Sequence, residues 1–282
     1  MAVNDRLPKA VAESGYDEGL HSASLTISIV SHGHLHDCEL LISDLARIAS
    51  PCVARVILTL NIPEEAPYPA SLPFEFSIVR NLRPKGFAAN HNAAFGLVTT
   101  PYFVVLNPDV RIASDPFPKL LAQVANPCVA VTSPVIMNPS GGRADFERRL
   151  ISPLDIVWRR VSYVERRMRP RPPEWLAGIF MAFRTETYRR LGGFHPRFHL
   201  YCEDADLCAR ARLLGLNLNV VHEVAVVHGG RRASHRSPRH FFMHVSSLVK
   251  FLTSPVYRHY RDMLREESTV YRRQSKGTSL AP

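Results

Sequence analysis

Three carboxylates fall within four residues at Glu203-Asp204-Ala205-Asp206, inside the run YCEDADLCARARLLG. Like charges this close raise one another's pKa, which suits acids for proton transfer near neutral pH. An aromatic, His-rich segment precedes them (Phe194, His195, Phe198, His199, Tyr201), and an apolar helical run follows (Leu207, Ala211, Leu214). Helix capping explains one acid, since acids are favoured in a first turn, but not three. The cluster is therefore the candidate reaction centre, although by itself it also reads as a metal site. If a helix begins there, Glu203 and Asp206 share one face and Asp204 points about 100° away. One acid can then face a substrate while a neighbour caps the helix or holds a basic partner.

Other polar groups sit where apolar runs end. Ser31-His32-Gly33, Asn61 and Asn107-Pro108-Asp109 each close a β-rich stretch. Any one of them has ordinary turn composition. Three at the same end of successive strands point to a site, because open α/β sheets bind ligands at the carboxyl ends of their strands. His228, followed by Gly229-Gly230, closes a late apolar run and is a further candidate ligand, although a lone histidine there is commonly a satisfied structural one. Trp175, one of two tryptophans, adjoins a Pro-rich loop. Gly178, in an apolar run read as a pocket floor, would let a ligand approach the backbone. An ordinary core strand explains the aliphatic members of that run equally well.

The elements that must position these groups follow from periodicity. LTISIV (Leu25–Val30) reads as a buried strand, Leu40, Leu41, Leu45 and Ile48 as one helix face, and ARVILTLNIP as a second strand. Phe74–Asn81 is a third strand, Ala88–Val98 a helix with polar insertions at Asn90, His91 and Asn92, and Tyr102–Val110 a fourth strand. A helix over Phe117–Val124 and a strand over Val129–Thr132 follow. This alternation predicts an α/β fold with a mostly parallel, Rossmann-like sheet flanked by helices. Residues 138–173 are basic, Pro-rich and loop-like, and Trp175–Arg184 reads as one strand. LNLNVVHEVAVVH gives two strand-like runs. From Ser237 the chain reads as a helical tail of two basic amphipathic helices broken at Pro255, the first packing on the domain. The expected organisation is a flexible lead-in over 1–24, a catalytic domain over 25–236 and the tail over 237–282.

Composition narrows the class. Of 282 residues, 46% are hydrophobic and 21% charged, as in globular proteins. No apolar run approaches the ~20 residues of a membrane span, and a cytoplasmic location is expected. Five scattered cysteines without C-x-x-C spacing favour neither a disulfide framework nor zinc. The net charge is +10. Residues 231–282 hold eleven Lys/Arg against three Asp/Glu, a surplus of eight cations. That tail fits peripheral contact with the inner face of the plasma membrane. No nucleic-acid motif accompanies the charge, so no specific nucleic acid is expected.

Together these features resemble the family 2 glycosyltransferases, inverting enzymes of GT-A fold, and more narrowly their rhamnosyltransferase-like branch. The resemblance spans roughly residues 25–235. It is carried by W-L-A-G-I-F-M-A-F-R followed by L-G-G-F-H-P-R-F-H-L-Y-C-E-D-A-D-L-C-A-R, by L-N-P-D-V, by R-P-K-G-F-A-A-N-H-N-A-A-F and by V-V-H-G-G. It implies a general base at Asp204, with Glu203 and Asp206 in support. It implies Mg2+ or Mn2+ on Asp109 and His228, with Asn107 direct or through water. A nucleotide-sugar donor would meet Ser31, His32, Gly33, Asn61, Lys85, Gly86, Asn92 and Asn107, with Arg80 or Arg83 adding charge. A glycan or lipid-linked glycan acceptor would meet Trp175 and Gly178. L-Rhamnose from dTDP-rhamnose is the implied donor. A UDP-hexose or UDP-galactofuranose donor, or a catalytically silent nucleotide-sugar-binding protein, are the alternatives. The sequence departs from the family where Ser31-His32-Gly33 replaces Thr/Ser-Tyr-Asn, where Asn61 replaces an Asp, and where Asn107 replaces the first Asp of D-x-D.

Overall fold

The computed structural model describes residues 24–65, 71–150, 173–229 and 238–277. The expected lead-in, residues 151–172 of the basic loop and most of the Arg-rich approach to the tail lie outside them. In chain order the elements are β1 (Leu25–Ser31), α1 (Leu35–Ile48), β2 (Val53–Leu60), β3 (Glu75–Arg80), α2 (Phe87–Phe95), β4 (Tyr102–Leu106), β5 (Val110–Arg111), α3 (Phe117–Val124) and β6 (Val129–Met137). Then come β7 (Glu147–Arg148), β8 (Trp175–Leu176), β9 (Phe180–Arg184), α4 (Thr185–Arg190), α5 (Glu203–Leu213), β10 (Asn217–His228), α6 (Pro238–Leu252) and α7 (Pro255–Gly277).

Among the described residues, eight strands form one sheet in the order β3-β2-β1-β4-β9-β6-β10-β5. The pairs β3-β2, β2-β1, β1-β4 and β6-β10 are parallel. β9 runs antiparallel to both β4 and β6, and β5 antiparallel to β10. The expected parallel α/β sheet is thus present, with two antiparallel members that periodicity does not disclose.

Three strand assignments change. The apolar run from Trp175 to Arg184 is two strands, not one, because Ala177-Gly178-Ile179 makes a turn whose Ile179 N–H donates to the Ala177 carbonyl at 2.7 Å. The expected fourth strand, Tyr102–Val110, ends at Leu106, and Val110 begins the separate strand β5. LNLNVVHEVAVVH is one strand, β10, with a bulge. Pro134 of β6 pairs with Val221 and the next residue, Val135, with Ala225. Proline has no N–H to give the ladder, and the extra β10 residues absorb the break.

Side-chain alternation places a core on each face of the sheet. Leu25, Ile27, Ile29, Val104 and Leu106 pack with α1 and α3. Phe103, Val105, Met181 and Phe183 pack with α5 and with Phe251, Tyr257 and Tyr260 of the tail. Both tail helices therefore contribute to the core. α7 inserts deepest, with Tyr260 fully buried and its hydroxyl donating to the Glu174 carbonyl at 2.6 Å.

The second face of β1 is polar. Ser28 Oγ and His91 Nδ1 of α2 share a buried hydrogen bond of 2.8 Å. Burial lowers the His91 pKa from its ordinary 6.5 to about 3. Between those values the unfolded chain binds a proton that the folded chain does not, so folding weakens as pH falls. Relative to a His91→Asn variant, the wild type loses on the order of 2 kcal/mol of unfolding free energy between pH 7 and pH 5. Denaturant titrations at the two pH values measure this, and equal losses in both proteins would contradict it.

Candidate functional site

At the sheet edge formed by the carboxyl ends of β1 and β2, Gly33 takes φ +76, and its N–H and that of Leu35 donate to the Glu64 carboxylate at 3.3 and 3.1 Å. Glu64 thus satisfies donors at the start of α1, a role the sequence reading missed because the acid comes from another loop. Ser31 is buried, and its Oγ accepts the His34 N–H at 3.1 Å. His32 is exposed.

Asn61 is buried at 4% exposure, and its amide is engaged within the protein. Oδ1 accepts the Lys85 N–H at 2.8 Å and Asn81 Nδ2 at 2.9 Å. Nδ2 donates to the Lys85 carbonyl at 2.9 Å and lies 2.9 Å from His32 Nδ1. Asn61 thus brackets the Lys85 peptide, while the Lys85 side chain is exposed. Asn92 is also engaged within the protein. Its Oδ1 accepts the Tyr188 hydroxyl at 2.8 Å and the Phe194 N–H at 3.0 Å, and Nδ2 donates to the Phe194 carbonyl at 2.7 Å. The polar insertions of α2 are therefore pins. Asn90 accepts from Asn81 at 2.7 Å, His91 meets Ser28, and Asn92 holds the Gly192-Gly193-Phe194 turn.

The acid cluster opens α5. Tyr201 and Cys202, directly before it, both have positive φ, at 72° and 66°. Each such non-glycine residue costs on the order of 1–3 kcal/mol and must be held by its surroundings. Asp204 Oδ2 accepts the Gly178 N–H at 2.9 Å, and Oδ1 accepts the Ala205 N–H at 2.8 Å. Asp206 is fully buried and lies 2.9 Å from Arg197 and 2.8 Å from Arg210. Arg210 also donates to the carbonyls of Leu191 and Gly193. Asp206 therefore anchors the Gly192-Gly193 turn to α5 and acts on the site only through position. Glu203 is buried at 5% exposure, and its Oε2 has no hydrogen-bond partner among the described residues. Burial, reinforced by the neighbouring Asp204 carboxylate, pushes the Glu203 carboxyl well above the usual carboxylate range.

β5 and β10 pair so that Val110 stands opposite His228. The pairing brings Asp109 Oδ1 to 3.0 Å from His228 Nε2, across 119 residues of sequence. The Gly229 N–H donates to the Asp109 carbonyl at 2.9 Å. From α1, Asp44 accepts the Ile112 N–H at 3.0 Å and an Arg111 N–H at 3.2 Å, while Arg47 donates to the Ile112 carbonyl at 2.6 Å. That clamp fixes the short strand next to Asp109. One carboxylate and one imidazole fit a hard divalent ion whose remaining oxygens come from a diphosphate. Among the described residues no cluster of three His, Cys, Asp or Glu side chains is available to hold a metal unaided.

Trp175 is 4% exposed within the second core, under Arg148 at 5.4 Å. Gly178 does border the acids. A Cβ there would lie 3.5 Å from the Asp204 Cβ.

The loop that leads into α2 and the loop that leads into α5 touch at Gly86. The Phe87 N–H donates to the His199 carbonyl at 2.8 Å, and a Cβ on Gly86 would sit 2.4 Å from that oxygen. Backbone faces it, so no side chain can step aside. Gly86→Ala is expected to lower the unfolding free energy by about 1–3 kcal/mol. Gly142→Ala, whose Cβ would meet nothing nearer than 3.9 Å, should stay within about 0.5 kcal/mol. Chemical denaturation compares the two, and equal stability would refute the close approach.

Residues 63–192 match the family model described as glycosyl transferase family 2. Rhamnosyltransferase WbbL of Escherichia coli (strain K12) is 34% identical over 84 residues, 28% of this chain and 30% of that protein. The N-acetylglucosaminyl-diphospho-decaprenol L-rhamnosyltransferase of Mycobacterium tuberculosis (strain CDC 1551 / Oshkosh) is 28% identical over 167 residues, 54% of each chain. The matches thus span about half, or less, of the length of these curated relatives. Among solved structures, the mannosyltransferase PcManGT from Pyrobaculum calidifontis, in complex with GDP-Man and Mn2+, superposes with a TM-score of 0.56 at 16% identity, covering 87% of this chain and 70% of that one. S. aureus TarS 1-349, in complex with UDP-GlcNAc, gives 0.58 at 12% identity, covering 86% and 71%. At such identities the likeness is one of fold. Over residues 63–192 the chain is thus similar to the glycosyl transferase family 2, its sequence relatives include rhamnosyltransferases, and its fold is of the GT-A type.

Proposed function

We propose that this chain is an inverting glycosyltransferase that moves L-rhamnose from dTDP-L-rhamnose to a hydroxyl of a lipid-linked or cell-envelope glycan. The supporting observation is the approach of two chemistries to one turn. Asp204 takes the Gly178 N–H, and the Ile179 carbonyl takes the N–H of Asn107, two residues before Asp109. The L-rhamnosyltransferase relatives support the sugar, and the name of the mycobacterial one supports a polyprenyl-diphosphate-linked acceptor.

In the proposed reaction the acceptor oxygen bonds to the sugar C1 from the face opposite the leaving group. The C1–O bond to the diphosphate breaks, its electron pair departs with the phosphate oxygen, and Asp204 takes the hydroxyl proton. The Gly178 N–H and the α5 N-terminus orient the Asp204 carboxylate. Burial and the neighbouring Asp204 raise the Glu203 pKa, which disfavours a second negative charge beside the base. Asp109 and His228, with Asn107, would hold Mg2+ or Mn2+, whose chemistry is neutralisation of charge on the departing diphosphate. Ser31, His32 and Gly33, with exposed Lys85 and the Gly86 backbone, are the proposed donor contacts, and Arg80 and Arg83 add positive charge nearby. Asn61 and Asn92 shape that side, and Gly178 borders the acceptor.

Two outcomes are expected with dTDP-L-rhamnose and a polyprenyl-diphosphate-linked sugar. Asp204→Asn should lower turnover by about 10²–10⁴-fold while dTDP still raises the melting temperature as in the wild type; near-normal turnover would remove the base assignment. Separately, excess EDTA and Asp109→Ala should each suppress transfer. Full activity in chelator would make the enzyme metal-independent.

A further inference from the structure

α6 carries an apolar face that the fold does not cover. Phe241, Phe242, Val245 and Val249 are 46, 69, 38 and 54% exposed. At helical steps they occupy an arc of about 100°. The other side of the helix is held down. Ser247 Oγ donates to the Leu200 carbonyl at 2.7 Å, and Phe251 is buried.

The charge along this stretch of the sequence is of one sign. No Asp or Glu occurs between Glu223 and Asp262, whereas Arg231, Arg232, Arg236, Arg239, Lys250, Arg258 and Arg261 all do. In sequence, Arg239 stands two residues before Phe241 and Arg236 five. Among the described residues no helix is long and apolar enough to cross a membrane. An aromatic apolar face on a stretch of chain whose only Lys, Arg, Asp or Glu residues are cationic matches a helix lying in the headgroup region of an anionic bilayer.

We propose that α6, through Phe241, Phe242, Val245 and Val249, docks this protein on an anionic lipid surface. The second tail helix, α7, instead buries Tyr257 and Tyr260 in the domain. The docking helix also reaches the acids. His240 Nδ1 lies 3.3 Å from the Tyr201 hydroxyl, and the His244 ring packs edge-on against Tyr201 at 4.9 Å. Tyr201 leads directly into α5, so a docked α6 holds the acid helix close to the membrane. That consequence rests on the proposed lipid-linked acceptor; the docking does not.

The test is sedimentation of the full chain with vesicles of phosphatidylcholine, alone or with about 30 mol% phosphatidylglycerol, without donor or acceptor. The chain should pellet with the anionic vesicles only and be released by about 0.5 M NaCl. Phe241→Ser/Phe242→Ser should weaken partitioning about tenfold or more, with an unchanged circular-dichroism spectrum and melting temperature. Val245→Ser/Val249→Ser should weaken it less. Equal pelleting of the Phe double variant, pelleting on neutral vesicles, or none on anionic ones would overturn the proposal. So would a dimer in solution that the Phe double variant dissolves, since the face would then belong to a second copy. Transfer to a water-soluble acceptor without vesicle binding would sink this inference alone. Docking without any transferase activity would sink only the proposed function.

Discussion

The site depends on the turn Ala177-Gly178-Ile179. It has only two kinds of group to offer, N–H donors and carbonyl acceptors, and both are in use. The Gly178 N–H meets Asp204 at 2.9 Å, and the Ile179 carbonyl meets the Asn107 N–H at 2.9 Å. The Ala177 N–H donates to Phe146, anchoring the turn from a third side. β9 leaves this turn and enters the sheet antiparallel, with Phe180 opposite Leu106 at the end of β4. The antiparallel strand is thus the means by which the acid helix and the Asn107–Asp109 segment come to share an edge.

Holding Asp204 there carries a conformational cost. Two consecutive left-handed residues, Tyr201 and Cys202, aim the start of α5. The buried Asp206, between Arg197 and Arg210, opposes that strain by tying the helix to the Gly192-Gly193 turn. Loss of one partner from such a buried ion group typically costs about 3–5 kcal/mol, because a charge is left without compensation. α7 braces the same helix from outside, with Arg212 of α5 3.0 Å from Glu267. The three acids therefore divide into a hydrogen-bonded carboxylate, a buried neighbour whose pKa burial raises and an ionic anchor.

Much of this was legible from periodicity and chemistry. Alternating apolar runs disclosed the α/β sheet, because strand and helix periods differ. The polar strand ends were visible as candidates, but the 3.0 Å approach of Asp109 to His228 depends on the pairing of β5 with β10. What sequence could not show was direction. Asn61 and Asn92 have the chemistry of ligand contacts, but the same amide satisfies buried backbone equally well, and only neighbours from distant segments decide which. Burial of Trp175 was hidden for a related reason, since a rare aromatic beside a loop can face either way. The antiparallel β9 and the Asp44–Arg47 clamp on Ile112 are long-range arrangements with no local signature. The tail was read as amphipathic, but which helix kept its apolar face uncovered depended on packing against α5.

The most direct measurement is a crystal structure with dTDP and Mn2+, the ion located by its anomalous scattering. One manganese peak at Asp109 and His228 is expected, with Asp204 still on the Gly178 N–H and free of metal. A manganese ion bound by Glu203, Asp204 or Asp206 would contradict it and return the acid cluster to a metal site.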